Sequence, residues 1–163
     1  ADIRGKYFSF IFQNTNLMPN FSILENICLT QIIQGKSFSQ AKLESEKVIY
    51  GLGLNYLDLN QYPINLSIGE RQRIAFARAI TPDFKLLFCD EPTGNLDKKN
   101  AIKLMNEIRN IIKGDINKTA LIVSHNRTLA KDFADIIIEI EKIENKGIIK
   151  AENIYKDMNA FEV

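Results

Sequence analysis

Four short runs of apolar residues have the length and the β-branched and aromatic content of strands. These runs are residues 7–12, 86–89, 121–123 and 136–140. Their nearly continuous apolar character is typical of strands that are buried on both faces. We therefore expect the four strands to lie inside the protein.

Helical spacing fills the stretches between these runs. One helix is predicted over residues 68–80, and another follows Asn126, which is a suitable N-cap and places Leu129 and Phe133 inward. A further helix has its apolar stripe at Ile102, Met105, Ile108 and Ile112. Residues 14–63 contain no convincing strand. Helical spacing recurs there at Ala41, Val48 and Leu52, and the pattern ends at Gly51 and Gly53.

Strands of this kind that alternate with helices indicate an α/β fold, in which helices cover a parallel sheet on both sides. In such sheets ligands bind at the carboxyl ends of the strands. Polar residues follow three of the strands here. They are Gln13 after the first, Asp90 and Glu91 after the second, and Ser124 and His125 after the third. The carboxyl edge of the sheet is therefore the first candidate site.

Composition excludes some function classes without choosing among the rest. The 163 residues suffice for one domain with a sizeable core. With 21 Lys and Arg against 20 Asp and Glu, the net charge of +1 gives no support for a nucleic-acid partner. No apolar run approaches the roughly 20 residues of a membrane-spanning helix. The two cysteines lack metal-ligand spacing, so we expect a soluble domain in a reducing compartment.

Two carboxylates stand directly beyond the second strand. Asp90 can bind a hard cation and Glu91 can face an attacking water, an arrangement that phosphoryl transfer uses. Acids at this point often only cap a turn or contact solvent, so the pair alone does not decide between chemistry and structure.

A polar turn leads into the helix at residues 68–80. A helix N-terminus exposes free amides and a partial positive charge, and a serine beside a glycine lets a phosphate approach. Ser67 and Gly69 provide this pair. The alternative is an ordinary surface helix with Ser67 as its N-cap, which is the commoner arrangement.

The run 66–79 resembles the signature of ABC-type ATPases, Leu-Ser-Gly-Gly-Gln or Glu followed by an Arg-Gln-Arg helix. Ser67, Gly69 and Glu70 match it, whereas Ile68 stands where a glycine is expected. A β-branched side chain there would resist a positive φ and would crowd a phosphate.

Other elements of the family follow in its order. Residues 86–91 resemble the Walker B strand, and Gln13 resembles the Q-loop. Residues 94–97 resemble the D-loop, and residues 123–126, with the sequence's one histidine, resemble the switch segment. Finer likeness to the lipoprotein-releasing and macrolide-exporter group lies in residues 17–27, 69–73 and 92–97.

The resemblance implies a P-loop NTPase-like fold with ATP and Mg²⁺ as cofactors. Asp90 would orient Mg²⁺, and Gln13 would complete the metal and water arrangement. Glu91 would polarise the attacking water, and His125 would hold the γ-phosphate. These four residues are the predicted catalytic and metal-binding group.

The family also works as a dimer in which each signature faces the nucleotide of the other subunit. The resemblance therefore implies that Ser67, Gly69 and Glu70 bind nucleotide across the dimer and that Asp97 organises the interface. It further implies integral membrane permease subunits that dock near Gln13 and the helical insertion. The expected location is cytoplasmic, peripheral on the inner face of the cell membrane.

The predicted organisation is a single partial ABC ATP-binding domain over residues 1–163. Its catalytic core comprises 1–13 and 81–150, its mostly helical insertion with the signature is 14–80, and its tail is 151–163, after a short strand at 148–149. The sequence contains no Gly-x-x-x-x-Gly-Lys-Ser/Thr phosphate loop. We expect that loop, and a central strand between the third and fourth strands, to be missing from this chain. We also expect the chain alone to be nearly inactive, so its own status as an enzyme stays open.

Two other functions remain open. A soluble ABC-type ATPase of DNA repair would carry long coiled coils or zinc modules in the insertion, but residues 14–65 are short and cysteine-poor. A non-catalytic, degenerate ABC module would explain Ile68 and the lack of a phosphate loop. Glu91 argues against it, because a retained acid pair has no evident structural purpose there.

Overall fold

The computed structural model describes residues 7–143, 146–149 and 154–156, which form both helices and strands. They belong to two units, Ala1–Val123 and Ser124–Val163, which we describe separately. The first unit contains β1 (Phe8–Ile11), α1 (Ile23–Ile33), α2 (Phe38–Gly51), α3 (Ile68–Ile80), β2 (Leu86–Asp90), α4 (Lys98–Lys113) and β3 (Thr119–Val123). The second contains α5 (Arg127–Phe133), β4 (Ile136–Ile138), β5 (Glu141–Ile143), β6 (Lys146–Ile148) and β7 (Ile154–Lys156).

The sheet of the first unit is parallel, with strand order β1-β2-β3, as the sequence predicts for an α/β fold. Its register places Ile11 beside Cys89 and Cys89 beside Ile122. Burial alternates along β1 and β2, with Ser9, Ile11, Leu87 and Cys89 buried. Helix α3 contacts β1, and helix α4 contacts β3. The N-termini of both helices therefore belong to the first unit, as do the carboxyl ends of the three strands.

The prediction that the strands are buried on both faces is wrong. Along β1 and β3 the alternate residues Phe10, Leu121 and Val123 are exposed, and Phe10 stacks on Phe88 with ring centroids 5.2 Å apart. Apolar residues on both faces of a strand do not prove that another layer covers both faces. The rings of Phe10 and Phe88 shield part of each other by stacking. One face of this sheet is therefore open within the described residues.

Residues 14–80 hold three α-helices and a short 3-10 helix, Pro63–Asn65, in agreement with the mostly helical character that the sequence predicts there. Helix α1 contacts α2 and α3, and a small core joins Leu24, Cys28 and Ala41. Burial raises the pKa of the Cys28 thiol, although a hydrogen-bond contact with Ser45 at 3.5 Å opposes this. Gly53, with φ of 67°, reverses the chain after α2 as a glycine should.

The second unit contains no strand of the parallel sheet within its described residues, although the sequence pattern predicted one at 136–140. Instead, β4 pairs antiparallel with β7, and β5 pairs antiparallel with β6. The prediction of a strand at 148–149 is close to β6, but the strand β7 in the tail was missed. Residues 151–153 and 157–163 of the predicted tail, and residues 1–6, 144–145 and 150 of the predicted core, lie outside the described part of the chain.

The division of the chain into a core, an insertion and a tail stays a prediction. Among the described helices, none has both the length and the apolar character needed to cross a membrane.

Candidate functional site

The turn after β2, residues 90–94, carries the predicted acid pair and is called here the strand-end turn. Asp90 is the last residue of β2 and is exposed, whereas Glu91 is half-buried. Asp90 pairs in register with Val123, the last residue of β3. The carboxyl ends of the two strands therefore lie side by side, and the acids project from the edge at which ligands of α/β sheets bind.

Glu91 has an unusual backbone conformation, with φ of 44°. A non-glycine residue in the left-handed region costs about 1–3 kcal/mol and persists only where its surroundings hold it. Two hydrogen bonds do so here. The Glu91 amide donates to the Val123 carbonyl at 3.0 Å, and the Gly94 amide donates to the Glu91 carbonyl at 3.1 Å. The backbone from which the Glu91 side chain projects is therefore held on both sides.

Gln13 lies beside this turn. A Cβ built on Gly94 would lie 3.8 Å from Nε2 of Gln13 and 3.4 Å from the carbonyl oxygen of Glu91. The side-chain amide of Gln13 therefore lies next to the turn at Gly94. The structure thus places Gln13, which follows β1, beside the turn that carries Asp90 and Glu91.

The signature turn, residues 66–70, is built differently. Ser67 is the N-cap of α3: its hydroxyl accepts a hydrogen bond from the Glu70 amide at 3.3 Å and donates to the Glu70 carboxylate at 2.7 Å. The same carboxylate accepts from the Ser67 amide at 2.8 Å, which completes a capping box. The structural alternative, in which Ser67 caps a helix, is therefore present, and Glu70 first serves the chain's own backbone.

Tyr56, from the loop before α3, completes this arrangement. Its hydroxyl donates to the Glu70 carboxylate at 2.9 Å, and Arg73 donates to the Tyr56 oxygen at 3.4 Å. The hydrogen bonds from Ser67, and then that from Tyr56, hold the pKa of Glu70 below its usual value. Glu70 is thus kept ionised at the N-terminus of α3, where the helix dipole also favours an anion.

The expected strain at Ile68 is not observed. Among the described non-glycine residues only Asn16 and Glu91 have positive φ, and Ile68 is the first residue of α3. A helix start accepts a β-branched residue, so the isoleucine fits this backbone. Its side chain is 60% exposed, so the prediction that it would crowd an approaching phosphate stands untested. A Cβ on Gly69 would meet nothing within 4 Å, which leaves the turn open to approach from outside.

Asp97 is the N-cap of α4, where its side chain accepts from the Asn100 amide at 3.0 Å. This hydrogen bond lowers the pKa of the Asp97 carboxyl. The carboxylate is exposed, which leaves one face available to a partner. Its observed contacts explain the start of α4, and its role at an interface stays a prediction.

His125 lies in the second unit, between Ser124 and the N-cap of α5. The Asn126 amide donates to the Ser124 hydroxyl at 3.1 Å, and the Asn126 side chain accepts from the Leu129 amide at 3.1 Å, as predicted for this cap. His125 is exposed. The second unit thus presents the imidazole on a tight, hydrogen-bonded turn, and its predicted contact with phosphate stays a prediction.

Comparisons with known proteins agree with this geometry. The sequence pattern of the ABC transporter family matches residues 1–94, more than half of the chain. The lipoprotein-releasing system ATP-binding protein LolD of Blochmanniella floridana is 41% identical over 155 residues, which cover 93% of this chain and 62% of the relative. This chain belongs to the ABC transporter ATP-binding family.

Further relatives support the same assignment. LolD of Zymomonas mobilis is 38% identical over 135 residues, covering 83% of this chain and 57% of the relative. Among solved structures, the dimeric ABC transporter cassette MJ0796 superposes with a TM-score of 0.74 at 31% identity over 83% of this chain and 59% of that one. The same cassette bound to ADP and Pi superposes equally well, at 30% identity. The chain spans about three fifths of the length of these relatives, and the α/β fold predicted from the sequence is confirmed.

The donor set of this ABC domain fits Mg²⁺ only in part. The described residues contain no cluster of three or more His, Cys, Asp or Glu side chains that would hold a metal ion by themselves. Mg²⁺ usually takes one or two carboxylates and completes its shell with substrate phosphates and water. The exposed Asp90 carboxylate and the nearby Gln13 amide suit this mode of binding.

The sequence does not predict the contacts of Tyr56 and Arg78. Tyr56 sits in a polar loop with no periodic pattern, so nothing in its neighbourhood indicates that it reaches Glu70. Arg78 lies in the family run 66–79, but its partners, the carbonyls of Thr15 and Asn16, are more than sixty residues away. Contacts of this range depend on the packing of α3 against β1 and leave no local signal.

Proposed function

We propose that this chain is part of an ATP-binding subunit that couples ATP hydrolysis to transport, or to extraction of a substrate, by a membrane permease. The observation that carries the proposal is the strand-end turn, where Gln13 lies against Gly94 and the strained Glu91 is held by two backbone hydrogen bonds. Strain that the surroundings maintain at an acidic residue is typical of functional sites.

Each site residue would have a different role in hydrolysis. Asp90 and Gln13 would hold Mg²⁺, which neutralises phosphate charge when bound. The Glu91 carboxylate would accept a hydrogen bond from the attacking water, and the fixed backbone at Glu91 would keep that acceptor oriented. His125 would donate a hydrogen bond to phosphate. These roles follow from residue chemistry and from the family, and each is open to mutation.

The signature turn would serve the nucleotide of a second subunit. Gly69 leaves the N-terminus of α3 open, and the free amides and dipole of that helix attract phosphate. Ser67 and Glu70 would have to share their hydrogen bonds with the ligand, and Asp97 would meet the partner from its exposed face. The dimeric solved cassette supports such an arrangement for this chain.

Lipoprotein release is the function named for the LolD relatives, and we propose a transport role of this general class here. The partners would be permease subunits and a second ATP-binding subunit, and nucleic acid would not take part. The location would be the cytoplasmic face of the membrane.

The decisive experiment measures ATP hydrolysis by the full-length protein that contains this chain. Glu91→Gln keeps the size and polarity of the side chain but removes the proton acceptor, so we expect turnover to fall at least about a hundredfold. The control is Glu46→Gln on the exposed side of α2, which should leave turnover unchanged. Equal turnover in wild-type protein and Glu91→Gln would remove Glu91 from the catalytic role.

A second measurement concerns the chain of 163 residues by itself. We propose that it holds nucleotide poorly, because loss of even three charge-assisted hydrogen bonds from a phosphate loop weakens binding by roughly a thousandfold or more. A titration with a fluorescent ATP analogue should show no saturation at micromolar concentration. Micromolar affinity would contradict this part of the proposal.

A further inference from the structure

The last turn of α3 forms hydrogen bonds with the chain on both sides of Gln13. Before Gln13, the Ser9 hydroxyl of β1 donates to the Ala79 carbonyl at 2.5 Å. After Gln13, the guanidinium of Arg78 donates to the Thr15 carbonyl and to the Asn16 carbonyl, both at 2.8 Å. One turn of α3 is thus hydrogen-bonded both to Ser9 and to residues 15–16, and Gln13 lies between these two contacts.

The arginine is suited to this contact. Its planar guanidinium presents several N–H groups in a fixed fork, so it can reach two successive carbonyls at once, which a lysine ammonium does less well. Asn16 adopts φ of 46°, a left-handed conformation that asparagine tolerates better than most residues. The sharp bend at Asn16 thus occurs at one of the two residues whose carbonyls accept from Arg78.

The Arg78 side chain is half-buried at this contact. Burial lowers the pKa of its guanidinium, and the ion pairs found among the described side chains do not include it. A buried charged group is costly unless hydrogen bonds satisfy it. The bonds to the Thr15 and Asn16 carbonyls satisfy the guanidinium where it is half-buried, so we expect this loop and this helix end to move together.

The other end of the same helix is the signature turn. Helix α3 has 13 residues, so about 20 Å separate its two ends. Thr30 of α1 donates to the Arg78 carbonyl at 3.1 Å, which also ties this turn to the helical region. A helix is rigid over this length, and its orientation is therefore shared by both ends.

We propose that Arg78 is a positioning residue, which sets the placement of Gln13 by fixing residues 15 and 16 to the end of the signature helix. This inference rests on the proposed role of Gln13 at the metal. A tilt of α3 that starts at the signature turn would therefore move residues 15 and 16 through Arg78, and Gln13 would move with them. Arg78 itself contacts neither nucleotide nor metal in this scheme.

The test compares variants of the whole chain by ¹⁵N relaxation. In wild-type protein the amides of residues 14–17 should have order parameters near the rigid value of about 0.85, and in Arg78→Met they should fall below about 0.6. Arg78→Lys, which keeps the charge without the fork, should lie between these values and covers the case in which Arg78→Met does not fold. The matched control is Arg109→Lys on α4, which should change nothing at residues 14–17.

Three results would overturn the proposal. Residues 14–17 could stay rigid in both Arg78 variants, or they could already be flexible in wild-type protein. Alternatively, order parameters could fall all along α3, which would make Arg78 only a support of the helix.

A second readout adds Mn²⁺ together with ATP to the full-length protein that contains this chain, with Mn²⁺ as a paramagnetic stand-in for Mg²⁺. In wild-type protein it should broaden both the side-chain amide of Gln13 and the backbone amide of Glu91. In Arg78→Met the broadening at Gln13 should weaken relative to that at Glu91, and an unchanged ratio of the two in both proteins would contradict the positioning role. Absence of broadening at both groups in wild-type protein would refute the proposed metal site instead, and the relaxation data would still decide the role of Arg78.

Discussion

The two turns that carry the predicted chemistry are held in opposite ways. At the signature turn, the side chains of Ser67 and Glu70 satisfy the backbone of α3, and every φ is ordinary. At the strand-end turn, the backbone of Glu91 is strained and is held by carbonyl and amide partners from β3 and Gly94. The first turn is stable by itself, whereas the second depends on the sheet around it.

This difference separates what a local sequence can build from what a fold imposes. A capping box needs only four consecutive residues and forms wherever they start a helix. A left-handed glutamate needs a neighbouring strand to accept its amide. We therefore expect mutations at the signature turn to change only the stability of α3. The effect of mutations at the strand-end turn should depend on how well the sheet holds the backbone of Glu91.

The largest effect on stability is expected from removal of the helix cap. Ser67→Ala should lower the free energy of unfolding by about 1 kcal/mol, because α3 loses its N-terminal hydrogen bonds. Ser37→Ala removes an equivalent capping box from α2 and is the matched control. Equal losses of unfolding free energy in the two variants, measured by urea denaturation, would show that Ser67 acts only as a helix cap. A loss several times larger in Ser67→Ala would show that the signature turn also depends on distant parts of the fold.

The strain at Glu91 can be measured by two substitutions at the same position. Glu91→Gly should be more stable than Glu91→Ala by roughly 1 kcal/mol, since glycine adopts φ of 44° without a Cβ penalty. The usual order, in which alanine is the more stable, would show that the strain is absent in solution.

Acid should affect the signature turn through Glu70. Its pKa is lowered in the folded state by Ser67, so the stability that the carboxylate contributes is present at neutral pH. That contribution is lost as the pH falls below the ordinary glutamate value of about 4.3 and through the lowered one. Glu70→Gln should flatten the acid limb of the unfolding curve. An identical pH dependence in both proteins would contradict this assignment.

The smallest effect is expected at Tyr56. Tyr56→Phe removes one exposed hydrogen bond to Glu70, so stability should fall by about 0.5 kcal/mol. The clearer measurement is the pKa of Glu70 by carboxyl NMR, which should rise. Tyr62→Phe, from the same exposed loop, serves as the control. A Glu70 pKa that Tyr56→Phe leaves unchanged would remove Tyr56 from the cap.

The sequence predicts best where the signals are local. Helix α3 begins and ends where expected, at Ile68 and Ile80, because a serine cap precedes an apolar stripe of helical period. The caps at Asn126 and the turn at Gly53 follow the same logic. The strand ends also place Asp90 correctly, since β-branched and aromatic runs identify β2 whatever its partners are.

The errors concern features that depend on distant partners. Apolar runs cannot show whether a second layer covers them, so the open face at Phe10 and Leu121 was not predicted. The pairing of β4 with β7 was missed because a short strand in a polar tail has no pattern of its own. The strain expected at Ile68 lies instead at Glu91, where the Val123 carbonyl and the following turn set the backbone.

The two buried thiols make the stability of the helical region and of the sheet separately measurable. Burial raises the pKa of Cys89 in β2 to about 12 and also raises that of Cys28 in α1. Neither sulfur can be alkylated quickly while its surroundings stay closed, because the thiolate is the reactive form. The rate at which each cysteine is labelled, read by mass spectrometry, therefore reports how often its own part of the protein opens, without any introduced probe.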